Sequence, residues 1–280
     1  MISLFKGFYT VATGMITQQR RTELLSNNLA NANTPGFKAD QSTIRSFPDM
    51  LMSSIGKTNV PANQQAGAEY MNQVGALNTG TYLQETLPNY IQGQIYSTDF
   101  TTDMALIDGN LPQNEDGVSG SIFFRLAHPD GGEAYTRNGN FTLDGQGYLV
   151  NGQGLYVLND AGQRIQLPND DFRLDESGAI YVNNQQVARV GVSYAANPNM
   201  LQKQDNGLIR TENGVNLPSA YGANGVSFTL RQNYLEGSNV DSGRAMTDLM
   251  TAYRAFEANQ KVLQAYDRSM EKAVNEIGKI

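Results

Sequence analysis

Residues 24–38 read Leu24-Leu25-Ser26-Asn27-Asn28-Leu29-Ala30-Asn31-Ala32-Asn33-Thr34-Pro35-Gly36-Phe37-Lys38, and they divide the chain. On their N-terminal side a seam recurs in steps of four and three through Leu4, Phe8, Val11, Met15, Gln18, Thr22, Leu25 and Leu29. That spacing is the heptad of a helix with one narrow apolar stripe. The residue before a proline avoids the α region, so Thr34-Pro35 stops the helix, and its end is predicted near Asn31 to Asn33. Asparagine tolerates left-handed backbone and bonds freed carbonyls, so one or two asparagines make an ordinary cap. Asn27, Asn28, Asn31 and Asn33 exceed that need.

The far end of the chain repeats the pattern through Met246, Leu249, Tyr253, Phe256, Gln260, Leu263, Asp267, Met270, Val274 and Ile277. A capping box in Ser238-Asn-Val-Asp241 places the start of this helix within a residue or two of Ser238. A stripe so narrow cannot be buried by its own helix, so each end needs the other end or a neighbouring copy. Each apolar side chain fully buried there contributes roughly 1.5–3 kcal/mol. Polar residues at Gln18, Thr22, Gln260 and Asp267 lower stability and specify register and partner number. Gly14 costs about 1 kcal/mol relative to alanine inside a helix. It reads either as a point of close helix approach or as a tolerated weakness.

Between the ends the chain changes character. Asn-Gly or Asp-Gly occurs at 108–109, 116–117, 130–131, 138–139, 144–145, 151–152, 206–207, 213–214 and 224–225, which signals type I′ hairpins. Between them lie β-prone runs at 121–127, 134–136, 140–143, 148–150, 155–158, 179–182, 187–194 and 226–230. Asp144-Gly-Gln-Gly-Tyr-Leu and Asp175-Glu-Ser-Gly-Ala-Ile share one pattern and read as two similar hairpins. Residues 38–80 are rich in Gln, Asn, Ser, Thr, Gly and Met, with Pro48 and Pro61; they read as an extended arm or linker, with Pro48–Ile55 a candidate short helix. The expected fold is α+β. Long N- and C-terminal helices pack as a discontinuous coiled-coil-like domain around a central, mainly antiparallel β domain. The expected divisions are 1–37 (helix and turn), 38–80 (arm), 81–235 (β domain) and 236–280 (helix).

Composition narrows the function. The chain has 280 residues, enough for a sizeable core, and a net charge of −7. Residues 1–45 carry five bases and two acids, 240–280 six of each, and the middle therefore −10. No basic patch suits a nucleic acid. No run of about 18 apolar residues spans a bilayer. The N-terminus has a single Lys and no small-residue cleavage site, so a cleaved signal peptide is not expected and any export uses another route. Cysteine is absent, which removes disulfides and thiolate metal sites.

Gly14 together with residues 24–38 resembles the N-terminal signature of the bacterial flagellar rod and hook protein family. Tyr135-Thr-Arg-Asn-Gly-Asn-Phe-Thr-Leu-Asp144, Gly147-Tyr-Leu-Val150, Tyr234-Leu-Glu-Gly-Ser-Asn-Val240 and Tyr253-Arg-Ala-Phe-Glu-Ala-Asn259 with Lys261-Val262 extend the resemblance. It implies export without processing through the flagellum-specific type III apparatus. It also implies terminal helices that pack with those of neighbours into the inner tube of a helical assembly, and an outward β-rich middle. The length is similar to a rod component rather than the longer hook protein, and Ile44-Arg-Ser-Phe-Pro48 resembles the proximal-rod variety and its Gram-positive counterparts. The chain departs from the family at Gln232-Asn233, where Gln-Gly is common, at Thr98-Asp99, where Thr-Gly is usual, and in the loop 109–120.

No residue set suggests catalysis, a cofactor or a metal. His128 has no Cys or second His beside it and reads as a turn residue. Asp170-Asp171 and Asp175-Glu176 flank turns, and the Gly-rich stretch 145–154 lacks the Lys and helix of a phosphate loop. The expected role is a structural subunit of the flagellar basal-body rod in the cell envelope. Its partners are copies of itself, related rod and hook subunits and the export apparatus, with no nucleic acid or small-molecule substrate. Two alternatives stay open: a peptidoglycan hydrolase associated with the flagellum, and a secreted β-rich adhesin with coiled-coil ends. The expected assembly residues are Leu4, Phe8, Val11, Gly14, Met15, Leu25, Asn27, Asn28, Leu29, Asn31, Asn33, Pro35, Gly36 and Phe37 at one end. At the other they are Met246, Leu249, Tyr253, Phe256, Leu263, Met270, Val274 and Ile277.

Overall fold

The proline-free N-terminal run folds as one helix, α1 (Ile2–Ala30), and the C-terminal run as α2 (Ser242–Lys272), which passes into a π-helical turn at Ala273–Ile277. The structure, a computed structural model, describes residues 2–57, 69–115, 117–204, 207–212 and 214–277. Past Ala30 the chain tightens: Asn31 N and Ala32 N donate to Asn28 O and Leu29 O, and Thr34 N donates to Asn31 O. The start of α2 corrects the capping-box reading by four residues. Ser238 Oγ accepts from Val240 N, the Asn239 side chain bonds Ala39 N, and residues 237–241 stay non-helical.

The chain forms two compact units. One comprises Met1–Asn27, Gln41–Thr86 and Gly243–Ile280; the other comprises Asn28–Asp40 and Leu87–Ser242. The Asn-rich turn therefore belongs with the β-rich unit rather than with the helix it ends. In the helical unit, the segment expected as an arm is extended but paired. Asp40–Ser46 pairs with Thr81–Pro88, and Met50–Lys57 pairs antiparallel with Glu69–Leu77. The short helix expected at Pro48–Ile55 is therefore a strand. A helix that brief leaves most of its backbone groups unpaired, whereas a hairpin pairs them. Pro61 lies outside the described residues.

Threonines three and four apart fasten α1 to the loop before Thr81. Thr10 and Thr17 hydroxyls donate to the carbonyls of Thr79 and Thr81 at 3.3 and 3.0 Å. Gly80 between them has φ +146°, and a Cβ there would overlap the Thr13 hydroxyl. α1 and α2 pass each other antiparallel: a Cβ at Gly7 would overlap the Tyr266 ring, and one at Gly14 would lie 3.3 Å from Asn259 Nδ2. Gly14 thus marks a close approach.

In the β-rich unit a five-stranded antiparallel sheet runs in the order Val192–Ala195, Ser121–Ala127, Glu133–Thr136, Ile209–Thr211, Leu201–Lys203. Ser121–Ala127 is buried on both faces, which is why its sequence is almost continuously apolar. Ile122, Phe124 and Leu126 join the larger core with Met104, Leu106, Phe141, Leu149, Val157 and Ile180. Phe123 joins a smaller core with Tyr135, Ala195, Leu201 and Ile209.

The hairpin expectation is corrected in its geometry. Asn183 and Asn184, with φ 51° and 62°, join Ala179–Val182 to Gln185–Arg189, and among the described residues no Asn-Gly or Asp-Gly pair has both φ values positive. The recurring turn instead places Asx first and a left-handed glycine three residues later. Gly147 N donates to Asp144 O, Gly154 N to Asn151 O, Gly162 N to Asn159 O and Gly178 N to Asp175 O. The carboxylate or amide of the first residue accepts backbone N–H groups inside the turn, as at Asp144, Asn151 and Asn159. The two D-x-x-G hairpins are thus members of a larger set of identical turns.

Candidate functional site

Three stretches quoted above, the end of the first motif and the interiors of the Tyr135–Asp144 and Tyr234–Val240 motifs, meet inside the β-rich unit. Glu236, 1% exposed, sits in Tyr234–Glu236, a strand paired with Ile95–Ser97. One of its carboxylate oxygens accepts from Lys38 Nζ at 2.6 Å and from Gly93 N at 2.9 Å, and the other accepts from Arg137 Nε. Arg137 also donates to Asp108 Oδ1 and to Ile122 O, at 2.7 and 2.8 Å. Lys38 also donates to Ile91 O at 2.8 Å. Two cations and two carboxylates close a neutral, largely water-free cluster.

Burial opposes ionisation of Glu236, but Arg137 and Lys38 more than offset it and hold the carboxyl below its ordinary range. Burial and the neighbouring Arg137 guanidinium lower the Lys38 ammonium, against the pull of Glu236. Burial would also lower Arg137, yet Glu236 and Asp108 outweigh it and raise the guanidinium.

Around the cluster the Asn-rich turn is seated mainly by amide and backbone hydrogen bonds, with one ion pair at its end. The Asn28 amide donates to Asp40 O and accepts from Asp40 N, at 2.8 and 2.9 Å, closing the loop from 28 to 40. Gly36 has φ +70° and donates its N–H to Glu236 O at 2.7 Å; a Cβ there would overlap the backbone of Arg137 and Asn138. The Asn239 amide accepts from Ala39 N and donates to Asn89 O and Ile91 O. Lys203 pairs with Asp40 at 2.9 Å and lies over the Phe37 ring. Pro35, Phe37 and Asn31 are half-buried here, and Asn27 and Asn33 are exposed.

The helix seams present a different surface. Phe8, Val11, Met15, Leu25 and Leu29 are half-buried, as are Leu249, Phe256, Leu263 and Met270. Met246, Tyr253, Gln260, Asp267 and Val274 are exposed. The inward stripe of α2 runs through Leu249, Ala252, Phe256, Asn259, Leu263, Tyr266 and Met270, so one of its two heptad positions lies a residue earlier than the sequence reading had it. Apolarity favours Met246 and Tyr253, while the small Ala245 and Ala252 occupy the buried places. Left outside are Met246, Met250 and Tyr253 at i, i+4 and i+7 on α2, and Tyr9 and Ile16 at i and i+7 on α1, about half exposed each. The side chains of Leu4 and Ile277 lie outside the described residues.

Three family models match the chain: flagella basal body rod protein over residues 8–38, flagellar hook protein FlgE/F/G D1 domain over 117–184, and flagellar basal body rod FlgEFG protein C-terminal over 231–276. The chain is 43% identical to the flagellar hook-basal body complex protein FlhO of Bacillus subtilis strain 168, over 99% of this chain and all of the relative. It is 32% identical to the flagellar basal-body rod protein FlgG of the same organism, over 97% of this chain and 99% of the relative. The chain belongs to the flagellar basal-body rod and hook family. It is a structural protein of the flagellar basal body.

The three matched regions each supply one charge to the buried cluster: Lys38, Arg137 and Glu236. None of the three was singled out by sequence reasoning, which followed apolar spacing and asparagines. The signal was there: Lys38 and Glu236 are each the one charged residue of their motif, and Arg137 is the one base in a motif whose other charge is the turn residue Asp144. The departure at Asn233, where the rod and hook family commonly has glycine, keeps the turn, because Asn233 itself adopts φ 63°. Among the described residues, no group of three metal-binding side chains occurs and no helix is long and apolar enough to cross a membrane. His128 lies in a turn, its Nδ1 accepting from Asp130 N.

Proposed function

We propose that copies of this rod protein polymerise through α1 and α2, with those of related rod and hook subunits, into a hollow shaft that transmits torque and conducts exported subunits. The observation that carries this reading is the pair of apolar stripes, Met246-Met250-Tyr253 and Tyr9-Ile16, left exposed on helices whose inward faces are already used. The half-buried seam residues at Phe8, Val11, Met15, Leu25, Phe256 and Leu263 gain further burial on association. The export apparatus is the remaining partner, on the route that the family resemblance implies.

The role is mechanical rather than catalytic. A glycosidase needs a carboxylic acid with a raised pKa facing a second carboxylate. Here Asp108 and Glu236 are paired to Arg137 and Lys38, the Ser177 hydroxyl lowers the exposed Asp175 carboxyl, and the Asp103 carboxyl is raised by burial rather than by a facing carboxylate. Met250→Asp and Tyr253→Asp test the assembly surface. The expected result is a β-rich unit that melts as in the wild type, loss of the variant from isolated hook–basal bodies, and no swimming. Normal incorporation of both variants would overturn the reading.

A further inference from the structure

We propose that the Glu236 cluster is a positioning clamp, in which Lys38 is the latch that holds the chain leaving α1 beside the chain leading into α2 before subunits assemble. This rests on the polymerisation reading above and adds a prerequisite to it. Glu236 stands six residues before α2, and Lys38 eight residues after α1; their 2.6 Å ion pair joins them across 198 positions of sequence. The two segments are tied again by Gly36 N to Glu236 O and by the Asn239 amide to Ala39 N. The carbonyl of Ile91 accepts from both Lys38 and Asn239, so a third segment is held in the same bond set.

The cations differ in what they support. Arg137 is wholly enclosed and bound to Asp108, Ile122 O and Glu236, so it belongs to the core of the β-rich unit. Lys38 reaches the same carboxylate from outside that core, on the segment that follows the Asn-rich turn. Removing it leaves Glu236 still paired with Arg137 and Gly93 N. Buried ion pairs add little net stability but reward one geometry over others. A cluster built from three distant segments, with one carboxylate between two cations, suits the selection of an arrangement rather than the making of a core.

The test uses the full chain with Lys38→Met, which keeps length and removes charge, Lys38→Arg, which keeps the cation, and Tyr253→Asp as the assembly control. Amide hydrogen exchange and swimming are read for each. In Lys38→Met the amides of residues 36–40 are expected to exchange at least tenfold faster while those of 122–126 keep wild-type protection, and swimming is lost; Lys38→Arg restores both. If Lys38→Met swims normally with residues 36–40 still protected, the clamp is wrong. If it loses protection in 122–126 as well, Lys38 supports the core and positions nothing, which also overturns the proposal. Tyr253→Asp separates the failures. If it abolishes swimming while Lys38→Met does not, the assembly surface stands and the clamp falls; if Tyr253→Asp and Met250→Asp both swim normally, polymerisation through α2 fails and takes the clamp's role with it.

Discussion

The β-rich unit holds a fully enclosed apolar core, although Ile91, Phe100, Met200 and Val215 stay about two-thirds exposed on it, whereas among the described residues the terminal helices bury no large apolar side chain. Ile122, Phe124, Leu126 and Leu149 are fully buried within one chain, whereas in α2 only Ala245 and Ala252 are buried and Met246, Met250 and Tyr253 face out. The same physics acts on both, and the difference lies in geometry. Sheet strands packed face to face close around a core, while a helix whose inward stripe is already used still presents the outward Met246-Met250-Tyr253 group that a partner could cover. The first unit closes around its own core; the polymerisation proposed above would finish the second.

The comparison breaks most severely at the core. Phe124→Ala removes a ring stacked edge-on against Phe141 at 5.1 Å and should cost about 3–5 kcal/mol. Thermal melting followed by near-ultraviolet circular dichroism should show that loss in the β-rich unit. Glu236→Gln comes next, at about 3 kcal/mol, the lower end for a broken buried pair, since Arg137 retains Asp108 and Lys38 retains Ile91 O. Its pH dependence sharpens the point. The Glu236 carboxyl is held below its ordinary value of 4.5, so its contribution is present above that value and is lost as pH falls through the lower folded value. Acid titration of Glu236→Gln should lack this component, and an unchanged acid transition would remove the cluster from the account. Gly36→Ala should cost about 1–3 kcal/mol, because φ +70° is strained for alanine and its Cβ meets the backbone of 137–138. The smallest effect is expected in the helical unit. Gly14→Ala gains about 1 kcal/mol of helix propensity, set against a tight 3.3 Å contact that the Asn259 amide can relieve by turning. Its helical ellipticity should stay level or rise slightly.

Much of this was legible in the sequence. The heptads, the proline at 35 and the β-prone run at 121–127 located α1, its end and the central sheet, because each depends on local spacing. The turns were located but mistyped, since the Asn-Gly signal counts adjacent pairs while the turn at 144–147 joins Asp144 to a glycine three residues on. The α2 stripe slipped by one residue where alanine, not methionine, is buried. Lys38, Arg137 and Glu236 were each legible as charges inside motifs, but their meeting was illegible, because no periodicity connects residues as far apart as the 99 positions between Arg137 and Glu236. Only the fold brings them together.

Amide hydrogen exchange, comparing the free chain with assembled rods, tests the central claim most directly. The account predicts that in the free chain the amides of 122–126 are strongly protected while those of α1 and α2 exchange faster, and that both helices gain protection on assembly. Helices as protected in the free chain as the sheet, and unchanged in the rod, would contradict it.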